Sequence, residues 1–231
     1  MNNRAFTLAA LLTTCAAPTL TAQGIVVDQG QFAIRIGGRS VGTEDFVIRR
    51  AGLGRDDAIF ANGVVTVTTG GATQEVRPLL RTAPPGGTVA SYQVRVTGPD
   101  AMDVRLTRSG RRYVATIGSK AGNEDREFQA HADTRVLELG VAHHYYFLRN
   151  VRDGGVVHVL EPRSRRQLTL TAGARSEEEL RLGPNVVSAR RVEYSSDRQD
   201  HRIVWFDRQG RVLRVEIPSL DYVADRTDLV G

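Results

Sequence analysis

The chain has 231 residues, 41% of them hydrophobic and 25% charged, with 31 lysines and arginines against 26 aspartates and glutamates and a formal net charge of +5. That length suits one β-rich domain with a sizeable core. Acids are interleaved with the arginines along most segments, which speaks against the continuous basic stripe of a nucleic-acid binder.

Residues 1 to 22 open on one positive charge at Arg4, continue through an apolar run from Ala5 to Leu12, and end on small residues at Thr21-Ala22. This is the layout of a secretory signal peptide, with cleavage expected after Ala22 and a periplasmic or secreted product. The run is far shorter than the roughly 20 residues of a membrane-spanning helix, and no later stretch approaches that length. Cys15, the only cysteine, lies in this segment, so residues 23–231 form a single domain without thiol, disulfide or cysteine-bound metal. Leu12-Thr13-Thr14-Cys15 is also a poor version of a lipoprotein signal, in which Cys15 would become the acylated N-terminus; that alternative stays open.

Strand then follows strand. Phe32, Ile34 and Ile36 alternate with polar or small residues, Gly37-Gly38-Arg39-Ser40 offers a turn, and Phe46 and Ile48 resume the period of two, so residues 31–50 read as a hairpin. Val65 and Val67 lead through Gly70-Gly71 towards Val76. Tyr92, Val94 and Val96 precede Gly98-Pro99, and Val104 and Leu106 reach Ser109-Gly110 and return through Tyr113, Ala115 and Ile117. The pattern is an antiparallel meander, interrupted by a loop at Pro84-Pro85-Gly86-Gly87.

The period changes once, in the stretch 136–152, where Val141, Tyr145 and Leu148 fall on one helical face and predict a short α-helix over 141–150. Strands return at 156–161, 167–171, 178–182, 186–195, 202–207 and 212–217. In the last pair, Asp207-Arg208-Gln209-Gly210 fits a type I turn followed by a glycine at positive φ. Strict alternation puts Ile203, Trp205 and Asp207 on one face and Val204 and Phe206 on the other. On the returning arm it opposes Val212, Arg214 and Glu216 to Leu213, Val215 and Ile217. A strand covered on one side by a core helix and on the other by a loop, partner or ligand would look this way.

Trp205-Phe206-Asp207, the run from Gly210 to Glu216, Pro218 and Arg226, together with Tyr145 to Arg149 and with Gly38 and Gly42 in the first hairpin, resemble a family of uncharacterised exported bacterial proteins. Those proteins are similar in architecture to the periplasmic lipoprotein carriers (LolA-like). The resemblance implies an incomplete β-barrel, a curved antiparallel sheet around one short α-helix, whose hollow takes a lipid or lipoprotein acyl chain. This chain departs from a clear carrier in its longer N-terminal meander and in lacking an obviously large apolar lining.

Individual residues offer little catalytic chemistry. His143 and His144 are helical neighbours about 100° apart and cannot jointly ligate a metal as an i, i+4 pair would; they could be joined by His131 and His158 only through the fold. No G-x-S-x-G elbow is present, and Ser109 precedes a glycine at a hairpin tip. Glu177-Glu178-Glu179 reads as a charged sheet edge that deters pairing. Neither catalytic residue nor cofactor is expected. Tyr145, Tyr146, Phe147 and Trp205 are core residues or, if a pocket exists, its lining.

Three readings follow: a non-enzymatic envelope protein that binds or escorts an apolar or amphipathic molecule; an assembly module that recruits another envelope protein through exposed sheet edges; and a hydrolase whose site the sequence does not display.

Overall fold

The computed structural model describes residues 24–52, 57–83, 87–196 and 200–228. The expected signal segment, with Cys15, and Pro84 to Gly86 of the expected loop lie outside them. Eight strands run in sequence as an antiparallel meander: β1 Ile25–Ile36, β2 Arg39–Ala51, β3 Ala58–Thr69, β4 Ala72–Ala83, β5 Thr88–Thr97, β6 Met102–Ser109, β7 Arg112–Ser119 and β8 Gly122–Gln129. After the short β9 Arg135–Val136 and a 3-10 helix at Ala142–Leu148 come β10 Val156–Glu161, β11 Arg166–Ala172, β12 Ser176–Leu182, β13 Asn185–Ser195, β14 His201–Phe206, β15 Val212–Ile217 and β16 Tyr222–Arg226. Strand β16 pairs antiparallel with β1, Phe32 opposite Arg226 and Ile36 opposite Tyr222, so the two halves form one continuous sheet.

That sheet is not closed. Its terminal strands are β8 and β9, and the only parallel pairing among the described strands is β9 with β10. Side chains bridge part of the gap. The Gln167 amide of β11 accepts from the Gln129 backbone N–H of β8 at 3.0 Å and donates to the Gln129 carbonyl at 2.9 Å. Arg165 and Glu124 pair beside it. One side-chain amide thus does at the seam what a backbone ladder does elsewhere.

The main core collects the inward residues of both halves, among them Phe32, Ile48, Leu80, Leu106, Ile117, Val159, Leu170, Val204 and Val215. Two strands lacked a readable signal. In β8 only Phe128 is buried and the rest is charged, polar or glycine, as befits an edge strand. In β16 the inward set is Tyr222, Ala224 and Arg226, which does not look apolar.

The expected α-helix over 141–150 is a 3-10 helix of seven residues. It has no amphipathic face, because every residue in it is buried. The segment Ala-His-His-Tyr-Tyr-Phe-Leu is poor in strong helix formers, and its first N–H groups are held by a strand carboxylate, which suits the tighter, shorter form. It packs against β3 and β15.

The β14–β15 hairpin forms as expected, with one correction. Its turn is held by Gly210 N–H to the Asp207 carbonyl at 3.0 Å and by the Asp207 carboxylate, which accepts from the N–H groups of Gln209 and Arg211 at 2.9 and 2.8 Å. Gly210 has φ 78°, and a Cβ there would lie 2.9 Å from Arg149 Cδ. Gly210→Val should therefore cost about 1–2 kcal/mol in backbone strain and push Arg149 aside. Urea unfolding checks this, and an unchanged midpoint would remove the assignment. The correction lies in the second arm: Phe206 pairs with Val212 but Trp205 with Arg214, so Leu213 is an inserted bulge residue. Val212 and Val215 consequently join the main core, while Leu213 joins Trp205 in a second cluster.

Candidate functional site

The site is built from β2. Along Glu44, Phe46 and Ile48 the inward phase begins with a carboxylate, and Glu44 is fully buried. Glu44 accepts from the N–H groups of Ala142 and His143 at 2.6 and 2.9 Å and from the His143 ring Nδ1. It thus fixes the start of the 3-10 helix to the sheet and sets the tautomer of His143. Gly63 of β3 makes room for that ring, since a Cβ there would sit 3.1 Å from His143 Cε1. His143 stacks in parallel with Phe46, and Phe46 on Phe32.

His144 turns the other way. Its Nδ1 accepts from the Glu138 N–H at 3.2 Å, which places its proton on Nε2, and the ring meets Tyr92 edge-on. Burial, followed by the charges of His143 and Arg163, holds His144 well below the ordinary imidazole range, so it is neutral. Glu138 is raised by burial against the pull of Arg163, and Tyr92, which donates to Glu138 at 3.2 Å, is pushed well up by burial. His131 and His158 stack on each other instead, with His158 against Asp133 at 2.9 Å. Among the described residues no group of three His, Cys, Asp or Glu side chains is placed to hold a metal ion.

The end of the 3-10 helix opens onto a cleft of about 630 Å³, whose lining includes the apolar or aromatic Val27, Ile59, Tyr146, Phe147, Val151 and Val156 and the charged Arg50, Asp57, Arg135, Arg149 and Arg152. A bulge in β1 places Val27 here: the register shifts between Val26 and Asp28, so Val27 is left in the cleft while Asp28 turns inward. Val27 and Val156 keep 37% and 50% of their surface exposed in the cleft. Arg50 is matched to Asp57 by paired hydrogen bonds. Arg149 is held differently, with its guanidinium carbon 3.7 Å from the Tyr146 ring centre and its Nη1 donating to the Tyr146 carbonyl at 2.9 Å. Burial lowers Arg149 from the ordinary arginine value and raises Tyr146 from that of a phenol.

No family model matches the chain, and no curated protein does. Its likeness is to solved barrel-like folds. One is a β-barrel-like protein of the domain of unknown function DUF1849 from Brucella abortus, with a TM-score of 0.55 at 10% identity, covering 90% of this chain and 99% of that one. A duf1089 family protein from Pseudomonas aeruginosa aligns over 94% of this chain and 98% of its own with a TM-score of 0.42 and 13% identity. At 10% identity the first likeness is one of fold and brings no residue roles with it.

Within this barrel-like fold the four aromatic candidates separate. Tyr146 and Phe147 line the cleft. Tyr145 is interior, accepting from Arg202 Nη1 at 3.1 Å, and Arg202 in turn pairs with the buried Glu161. Trp205 lies on the other face of the sheet, packed with Leu180, Leu182, Ala189 and Leu213. Its cover is this chain's own β12, whose Glu178 accepts the indole N–H. The acidic run is thus partly a solvated edge, since Glu177 and Glu179 are exposed, and partly a latch on Trp205. Sequence reasoning missed Glu44, Arg149 and Arg202. Glu44 and Arg202 were visible in principle, because each falls in the inward phase of an otherwise apolar strand face.

Proposed function

We propose that the protein is a non-enzymatic, exported envelope protein that binds an amphiphilic molecule, seated in the cleft at the end of the 3-10 helix. The observation that carries this reading is the cleft itself, whose lining brings together partly exposed valines and four arginines. The cleft at the end of the 3-10 helix, and not the buried core of both halves, is the seat this reading gives the ligand. The resemblance to lipoprotein carriers and the signal-like N-terminus support an exported binder of acyl-bearing molecules.

The competing readings have less support. The edge strands β8 and β12 carry Glu124, Asp125, Glu127, Glu177 and Glu179 in exposed positions, which disfavours strand addition by a partner. The Glu44–His143 pair has no exposed surface and so could not serve a hydrolase as its base.

Dodecyl-chain amphiphiles below their micellar concentrations should raise the melting temperature of the full chain, because a ligand that binds only the folded state stabilises it. Their headgroup-only analogues should not match them. Calorimetric melting checks this, and equal melting with and without every dodecyl compound would overturn the reading.

A further inference from the structure

Arg149 is unlike the other arginines of the cleft. Its side-chain stem runs against the Gly210 turn, where even a methyl group would collide with it. Its guanidinium is stacked on Tyr146 with one N–H committed to the Tyr146 carbonyl. Among the described residues no carboxylate lies within ion-pair distance of it, and the same is true of the exposed Arg152 nearby. The nearest negative charges are committed elsewhere: Asp57 to Arg50, and Asp28 to Arg226 through two hydrogen bonds of 2.8 and 3.1 Å. The described lining holds four arginines against one aspartate.

A guanidinium held 3.7 Å over a ring centre, with only Nη1 bonded to a carbonyl, keeps other N–H groups for a carboxylate or phosphate, which a guanidinium grips with two parallel bonds. Holding it there already ordered removes much of the side-chain entropy that binding would otherwise cost. Val27, Ile59, Phe147, Val151 and Val156 supply an apolar wall to the same cleft that Arg149 lines. We infer that Arg149, seconded by Arg152, is the headgroup site for an oxyanion, a carboxylate or phosphate monoester, whose alkyl chain lies on that wall. This deepens the amphiphile reading and rests on it for the placement of the chain. Burial disfavours the charge on Arg149, and in such surroundings an anion beside it is held more strongly than in water.

The test is calorimetric titration of the full chain with four dodecyl compounds below micelle formation: dodecanoate, dodecyl phosphate, dodecyl maltoside and dodecyltrimethylammonium, with inorganic phosphate as a headgroup-only arm. The two anions should bind about tenfold or more tightly than the maltoside, the size of effect expected for hydrogen bonds to a charged group. Arg149→Gln should remove that preference, and R152Q, at an exposed position where folding is not at stake, should weaken it in the same direction. Added salt should erode it.

Equal affinities across the headgroups, or a preference that survives both substitutions, would overturn the oxyanion site while leaving the amphiphile reading intact. Tight binding of the cationic compound would do the same. Phosphate binding that depends on Arg149, with no gain from the dodecyl chain, would support the oxyanion site and sink the amphiphile reading. Absence of any binding would end both.

Discussion

Arg226→Ala should remove about 3–5 kcal/mol of folding stability, a third or more of what a domain of this kind usually has. The guanidinium is almost wholly buried and makes its two hydrogen bonds to Asp28, one to the Gln29 carbonyl at 2.6 Å and others to Asp228. It also lies 5.3 Å over the Phe46 ring. It sits where β16 meets β1, so it fastens the last strand of the chain to the first. Truncation leaves the Asp28 carboxylate buried and without its partner, and that uncompensated charge carries most of the cost. Replacing both partners together, Asp28→Leu with R226M, should recover much of the loss, since an apolar pair of similar volume often matches a buried ion pair. Urea unfolding of the two variants decides it: a loss below about 1 kcal/mol for R226A, or a double variant no better than R226A, would show that the pair does not hold the junction.

The strands were legible because most of them alternate between core and solvent and turn on glycines. That signal is a partition of each strand into two faces, and it carries no information about which face meets what. Ile203 and Trp205 show the limit. They announced a second covered face, correctly, but the cover is β12 of the same chain and not a ligand, so Trp205 was grouped with the wrong aromatics. Leu213 shows another limit, because a bulge inserts one residue and reverses the phase of everything after it. The helix was located by its change of period, but its first N–H groups bond to Glu44, which lies about a hundred residues earlier in the chain, a link that no local period reveals.

The candidate site was half legible. Tyr146 and Phe147 stood out by composition, whereas Arg149 looked like one arginine among many, and what distinguishes it is the Gly210 turn and the Tyr146 ring beneath it. Three buried charges did leave a trace. Glu44 is in phase with Phe46 and Ile48, Arg202 with Val204 and Phe206, and Arg226 with Tyr222 and Ala224; each is an ionisable group on a strand's inward face. An ion in that position must find a partner inside the core, so the phase alone marks it as a structural or functional anchor.

Glu44→Ala should be comparably severe, at about 3–5 kcal/mol, because it strands three donors at once. The N–H groups of Ala142 and His143 and the His143 ring all point at this carboxylate, in a region without exposed surface, and each orphaned buried donor costs about 1–3 kcal/mol. E44Q should be milder. Its amide oxygen, placed at the Oε1 position, can still accept from His143, while its NH2 group faces the Ala142 N–H and cannot. The order of stability expected from urea unfolding is therefore wild type, Gln, Ala. Because Glu44 sets where the 3-10 helix begins, and that helix carries Tyr146, Phe147 and the base of Arg149, E44Q should also weaken dodecanoate binding while the protein is still folded. A glutamine variant as stable as wild type would show that the helix is placed by packing against β3 and β15 and not by the carboxylate. One that is destabilised but binds dodecanoate unchanged would separate the anchor from the cleft, leaving Arg149 positioned by the Gly210 turn alone.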